Sequence, residues 1–146
     1  MAAATPDTGY SGTPLAQKLG LKDGQRVLFI NLPPSLNDLR VSRHFVEMAQ
    51  AGWQSFTDGD PGYDVIHGFT VSRQELETAA KPLLDSIDRD GAIWVSWPKK
   101  ASKVPTDITE DTIRAVMLPI GLVDVKVCAV DEIWSGLKLV IRKELR

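Results

Sequence analysis

Three lysines fall within five residues in Trp97-Pro98-Lys99-Lys100-Ala101-Ser102-Lys103, directly after an apolar run that reads as a strand. With the hydroxyls of Ser102 and Thr106 and the amides of a helix expected to start near Asp107, they form a set able to hold an anionic group. Trp97 adds a flat face that can stack on a ligand or line its pocket. The plainer alternative is a solvated lysine loop beside a core tryptophan, with Asp107 capping the same amides. A second group is Asp131-Glu132-Ile133-Trp134, whose carboxylates can face Lys99 or Lys100 across a cleft while Trp134 lines it. The alternative there is a hairpin loop with an aromatic plug. Near the start, Tyr10-Ser11-Gly12-Thr13 offers a ring and two hydroxyls that can fold over such a site, with Thr13 also placed to cap a helix.

Other chemistry is sparse. Asn31 closes a strand and can reach a ligand from its carboxyl end, or simply form a turn. His67 and His44 are the two histidines, and Cys128 is the single cysteine. No ligand set for zinc arises from so few donors, and no metal is expected. His67 ends an apolar run and reads as a satisfied structural histidine. His44 reads as a surface residue, and Cys128 alternates within a strand and reads as core. No nucleophile elbow, phosphate loop or paired-histidine zinc motif occurs.

Composition narrows the class. The chain has 146 residues, 43% hydrophobic and 25% charged, which suffices for a single domain with a real core. A net charge of −2 draws it toward neither nucleic acid nor anionic lipid, and one short basic cluster beside aromatics does not change that. No apolar run is long enough to span a membrane. Residues 1–6 lack the basic start and apolar stretch of a signal peptide, so a cytoplasmic location is expected. The partner is expected to be a small anionic ligand or a protein, with no membrane.

Hydrophobic periodicity then supplies the elements that must position these residues. Residues 1–9 read as a loose tail and 10–146 as one domain. A short helix over residues 14–19 leads to a buried strand, Arg26-Val27-Leu28-Phe29-Ile30. A helix is predicted from about 35 to 51, a short edge strand at 53–56, and a buried strand over 63–69. Ser72-Arg73-Gln74-Glu75 is a capping box in which serine and glutamate satisfy each other's backbone donors. The helix behind it contains Pro82, which is expected to kink or restart it. Strands follow at 92–97, 122–130 and 137–142, with a capped helix from Asp107 to about Pro119 and a turn at Ser135-Gly136. Strands separated by helices imply an α/β fold: three layers, Rossmann-like, mostly parallel, with a C-terminal antiparallel hairpin.

This order resembles the class I S-adenosylmethionine methyltransferase fold. Tyr63-Asp64-Val65-Ile66 is similar to its fourth strand, Leu84 through Asp90-Gly91-Ala92-Ile93-Trp94-Val95 to its helix-to-fifth-strand junction, and Gly121-Leu122-Val123 with the last strand pair to its final hairpin. A closer resemblance, over about residues 9–146, is to the uncharacterised bacterial family catalogued as domain of unknown function 3052. It rests on three blocks: Tyr10-Ser11-Gly12-Thr13-Pro14-Leu15-Ala16, Trp94-Val95-Ser96-Trp97-Pro98-Lys99-Lys100 with Val104-Pro105-Thr106-Asp107, and Gly121 to Lys138 with its Asp131-Glu132-Ile133-Trp134 centre. That family implies no reaction.

The methyltransferase fold implies a glycine-rich turn after the first strand and an acid ending the second, to meet ribose hydroxyls. Here the turn reads Asn31-Leu32-Pro33-Pro34-Ser35, and only Asp58 or Asp60, in a turn, is offered as the acid. The expectation is therefore a degenerate frame without a cofactor: a non-catalytic or cryptic module binding an anionic ligand through Trp97, Lys99, Lys100, Ser102, Thr106, Asp107, Asp131 and Trp134. The alternatives are a methyltransferase with an atypical cofactor loop, and a subunit that works by protein association through its tryptophans.

Overall fold

A computed structural model of the chain describes residues 14–56 and 62–146. Tyr10, Ser11, Thr13, Asp58 and Asp60 lie outside the described residues. Six strands form one sheet in the order β2-β1-β3-β4-β6-β5. They are β1 (Arg26–Ile30), β2 (Glu47–Ala51), β3 (Tyr63–Phe69), β4 (Ile87–Pro98), β5 (Leu122–Ala129) and β6 (Trp134–Ile141). The first four are mutually parallel, while β6 runs antiparallel to both β4 and β5. This is the expected α/β architecture with its closing hairpin.

Helices cover both faces. On one face α2 (Arg73–Ser86) and α3 (Glu110–Met117) bury a core of Leu28, Ile30, Ile66, Leu83, Val95 and Ile113. On the other, α1 (Leu15–Lys18) and a 3-10 helix at Pro34–Val41 cover Val27, Phe29, Val65 and Trp94. Alternation along the pleat explains the division, since neighbours such as Leu28 and Phe29 point to opposite faces. Trp94 anchors the second core by donating its indole N–H to the Leu19 carbonyl at 3.0 Å.

Several boundaries correct the sequence reading. The helix expected over 35–51 is instead the 3-10 helix followed by β2. The stretch Glu47-Met48-Ala49-Gln50-Ala51 has strong helix formers, but each residue pairs with β1, and Arg26 holds Glu47 at 2.7 Å. Strand pairing outweighs a local preference of a few tenths of a kcal/mol per residue. Residues 53–56 form a turn rather than an edge strand. β4 begins at Ile87, five residues earlier than expected. Ser135-Gly136 lies inside β6, and the hairpin turn falls at 130–133.

The caps also differ. Ser72 accepts from the Glu75 amide at 3.2 Å, but the Glu75 carboxylate takes the Thr70 hydroxyl at 2.7 Å instead of returning to Ser72. Thr70 in turn accepts the Ser72 amide at 3.1 Å, so a third residue completes the cap. The reciprocal box is at α3, between Thr109 and Thr112, and Asp107 is not its cap. Pro82 is accommodated within an unbroken α2.

Candidate functional site

After β1 the chain crosses to β2 on one side, then returns to place β3 on the other. The carboxyl ends of β1 and β3 therefore flank a switch point, where open α/β sheets bind ligands. Asn31 follows β1 in the left-handed region, at φ 60°. Asparagine is among the few non-glycine residues that enter this region readily. The amide of Asn31 donates to the Ala51 carbonyl at 2.9 Å, binding the turn to the end of β2, while its side chain stays exposed. Pro33 and Pro34 add no amide donors, and the following 3-10 helix begins at Pro34.

Beyond β2, Trp53 folds back across the sheet. Its ring lies over Gly68 of β3, where an added Cβ would come within 2.5 Å of the indole. The indole N–H donates to the Phe69 carbonyl at 2.8 Å. Trp53, Gln54 and Phe56 thereby form one wall of a cleft of about 530 Å³. The facing wall is α2, through Ser72, Glu75, Thr78 and Pro82. Both walls follow directly from carboxyl ends of parallel strands. Sequence reasoning missed this cleft; the signals present were a glycine inside a buried strand and a proline inside a helix.

The sequence candidates are brought together only in part. The Lys99 amide donates to the Ile133 carbonyl at 2.7 Å, and Pro98 pairs with Trp134, so the loop after β4 does sit beside the hairpin turn. Its hydroxyls and the Asp107 carboxylate are engaged within the fold. Ser102 donates its hydroxyl to the Lys99 carbonyl at 2.7 Å, and Thr106 donates to the Val71 carbonyl at 2.8 Å. Asp107 accepts from the Arg73 amide at 2.7 Å, so it caps α2 instead of α3. Asp131 accepts from the amides of Ile133 and Trp134 at 2.8 and 2.7 Å, closing its own turn. Among the described residues no ion pair joins Asp131 or Glu132 to Lys99 or Lys100, contrary to the expected charge pair.

The two tryptophans point away from one another. Trp97 is 8% exposed in the core beneath α2 and α3. Trp134 packs edge-on against Phe69 at 5.3 Å, and Phe69 stacks on His67 at 4.2 Å, on the opposite face. His67 is fully buried, with Nε2 2.6 Å from the Ser96 hydroxyl. Burial penalises the charged imidazolium and pushes the His67 pKa down to about 3, so the ring is neutral near pH 7. His44 is exposed. Cys128 is half-buried beside the smaller core rather than inside it, and partial burial raises its thiol pKa. No group of metal-binding side chains occurs among the described residues, and no described helix is long and apolar enough to cross a membrane.

Solved structures settle the fold. A methyltransferase dependent on S-adenosylmethionine from Aquifex aeolicus superimposes with a TM-score of 0.68 at 14% identity, covering 88% of each chain. The fold is methyltransferase-like. A TehB-like S-adenosylmethionine-dependent methyltransferase from Corynebacterium glutamicum matches with a TM-score of 0.57 at 12% identity, over 88% of this chain and 85% of its own. Aeropyrum pernix fibrillarin, in complex with natively bound S-adenosyl-L-methionine, matches at 0.53 and 13% identity, over 86% of this chain and 73% of its own. No protein-family model and no curated protein matches the chain. The structural neighbours correct the expectation of a frame without a cofactor, because they are S-adenosylmethionine-dependent enzymes and the fibrillarin holds that cofactor. The atypical turn Asn31-Leu32-Pro33-Pro34 thus sits on a methyltransferase-like frame.

Proposed function

We propose that this chain is an S-adenosylmethionine-dependent methyltransferase with an atypical cofactor turn, binding the cofactor across the carboxyl ends of β1 and β3. The observation that carries the reading is the switch-point crevice with Asn31 left-handed at its centre. A methyltransferase-like fold uses glycine after β1 because the chain must turn sharply there. Asn31 at φ 60° makes that turn with a side chain attached.

The residues present fit the group, with substitutions. The cleft beside the crevice has an aromatic wall in Trp53 and Phe56 and a polar wall in Ser72 and Glu75, suited to a nucleoside. No carboxylate closes β2, which ends Gln50-Ala51 before Gly52; Glu47, at its start, is held by Arg26. When bound, the cofactor supplies an electrophilic methyl group. The chain's own part is to shape the turn through Asn31, to wall off water with Trp53 and Phe56, and to keep the Phe69 and Trp134 rings beside the end of β3.

Calorimetric titration with S-adenosylmethionine and with S-adenosylhomocysteine tests the reading. Saturable binding tighter than about 1 mM is expected, weakened by Asn31→Val, whose β-branched side chain opposes a positive φ. No heat at millimolar ligand would remove the proposal.

A further inference from the structure

The sheet has two outer strands, β2 and β5, and only one of them is guarded. β5 exposes Val125 and Val127, but a bulge interrupts it between Asp124 and Lys126, and those two charges flank the interruption. Bulges and charges are devices by which natural edge strands avoid pairing with another chain. β2 has neither. Each residue from Glu47 to Ala51 pairs with β1 in unbroken register, and the strand contains no proline or lysine. Its one charge, Glu47, is taken by Arg26 at 2.7 Å. Val46, directly before it, is 74% exposed.

The outward backbone groups can be named. The Ala51 carbonyl accepts from Asn31 and the Glu47 amide donates to Gln25, so Glu47, Ala49 and Ala51 turn their backbone groups toward β1. Alternation along the strand turns those of Met48 and Gln50 outward, where no described residue bonds them. Two amides and two carbonyls thus stand symmetrically about Ala49. Glu47, Ala49 and Ala51 are also residues that strands disfavour, yet this strand has a neighbour on one side only. A second ladder would supply the support that its side chains do not.

We propose that β2 pairs antiparallel with β2 of a second copy of this chain, about a two-fold axis at Ala49. Met48 then exchanges both backbone bonds with Gln50 of the second copy, and symmetry repeats the exchange. Ala49 meets its own counterpart as a non-hydrogen-bonded pair, where Cα atoms approach to about 4.5 Å and a small side chain fits. Glu47 lies opposite Ala51, so no like charges meet. The strand is therefore its own complement in size and in charge, which favours a second copy over a peptide of other sequence. Antiparallel pairing points the carboxyl ends of the two sheets in opposite directions, so the two crevices face opposite ways. The inference stands apart from the cofactor reading.

Sedimentation velocity on the whole chain over a dilution series is expected to show a reversible monomer–dimer equilibrium. Gln50→Pro removes an outward amide that the ladder to β1 does not use, and proline is tolerated at such an edge position. It is expected to weaken the dimer about 10- to 100-fold, because two symmetry-related bonds are lost. Cysteine crosslinking tests the register in a Cys128→Ala background. Ala49→Cys is expected to form an intermolecular disulfide under mild oxidation, because the two copies of position 49 lie within disulfide reach. Gln50→Cys is expected not to, because its two copies are displaced by two residues along the ladder. A monomer at every concentration up to about 1 mM, a dimer that keeps its affinity in a folded Gln50→Pro variant, or crosslinking with no preference for position 49 would overturn the inference. Should the proline variant not fold, the crosslinking comparison decides.

Discussion

Substituting Gly68 by alanine reports directly on the wall that shapes the cleft. Gly68 pairs with Ile30 and Val95 in the middle of the parallel strands, and its missing side chain leaves room for the Trp53 ring. A Cβ there would lie 2.5 and 2.7 Å from two indole carbons, nearer than carbon atoms can approach. The ring must lift, because the glycine is held in the ladder on both sides. Overpacking of this kind costs about 1–3 kcal/mol. Lifting the indole also breaks its 2.8 Å bond to the Phe69 carbonyl, adding about 1 kcal/mol. A small opposing gain comes from the lower entropy of the unfolded chain, below about 1 kcal/mol. The net loss is about 2–4 kcal/mol, or a fall in Tm of about 5–15 °C for a chain of this size. Thermal unfolding measures the loss, and tryptophan emission should shift to the red as the indole meets water. The S-adenosylmethionine binding proposed above should weaken at the same time. A Tm within about 2 °C of the parent and unshifted emission would refute the argument that Gly68 is a glycine because Trp53 lies on it.

Three further outcomes follow from other parts of the fold. His67 has its pKa lowered to about 3 by burial, so the folded state refuses a proton that the unfolded chain accepts below about pH 6.5. Its contribution is complete above that pH and declines by about 1 kcal/mol per unit as pH falls toward 3; urea unfolding at several pH values should show a flatter profile for His67→Gln, and equal slopes would count against it. Thr109→Ala removes the reciprocal cap of α3 and should cost about 1 kcal/mol, seen as a Tm lower by about 2–4 °C. Asp131→Ala leaves the Ile133 and Trp134 amides without their acceptor and should cost about 1–2 kcal/mol in urea unfolding, whereas a carboxylate serving only as a surface charge would change nothing measurable.

The legibility of this protein divides along physical lines. Strands buried on both faces announce themselves as apolar runs, so β1, β3 and the core of β4 were readable, as was α2 from its periodicity and Ser72 cap. β2 was not, because Glu47 to Ala51 carry helix-forming side chains and become a strand only through β1 beside them. The loop after β4 and the turn at Asp131 were correctly judged close in space, yet their hydroxyls and carboxylates looked like ligand groups because local sequence does not reveal which backbone groups need them. Asp107 illustrates this, since the amide it satisfies is Arg73, 34 residues away.

By itself, the amino-acid order determined the alternation of strand and helix, the parallel sheet with its antiparallel end, and a turn after β1 that carries Asn31, Pro33 and Pro34 and no glycine. Those depend on local pattern and on what a residue's own backbone permits. The tertiary structure alone decided which face each ring meets. Trp134 is opposite Pro98 in the antiparallel register, so it shares that residue's face and Trp97, one position away, must take the other. It alone decided, too, that Gly68 and Trp53 meet, and that Thr78 and Pro82 turn toward the cleft those residues enclose. Contacts between residues distant in the chain are set by register and packing, which no local pattern encodes.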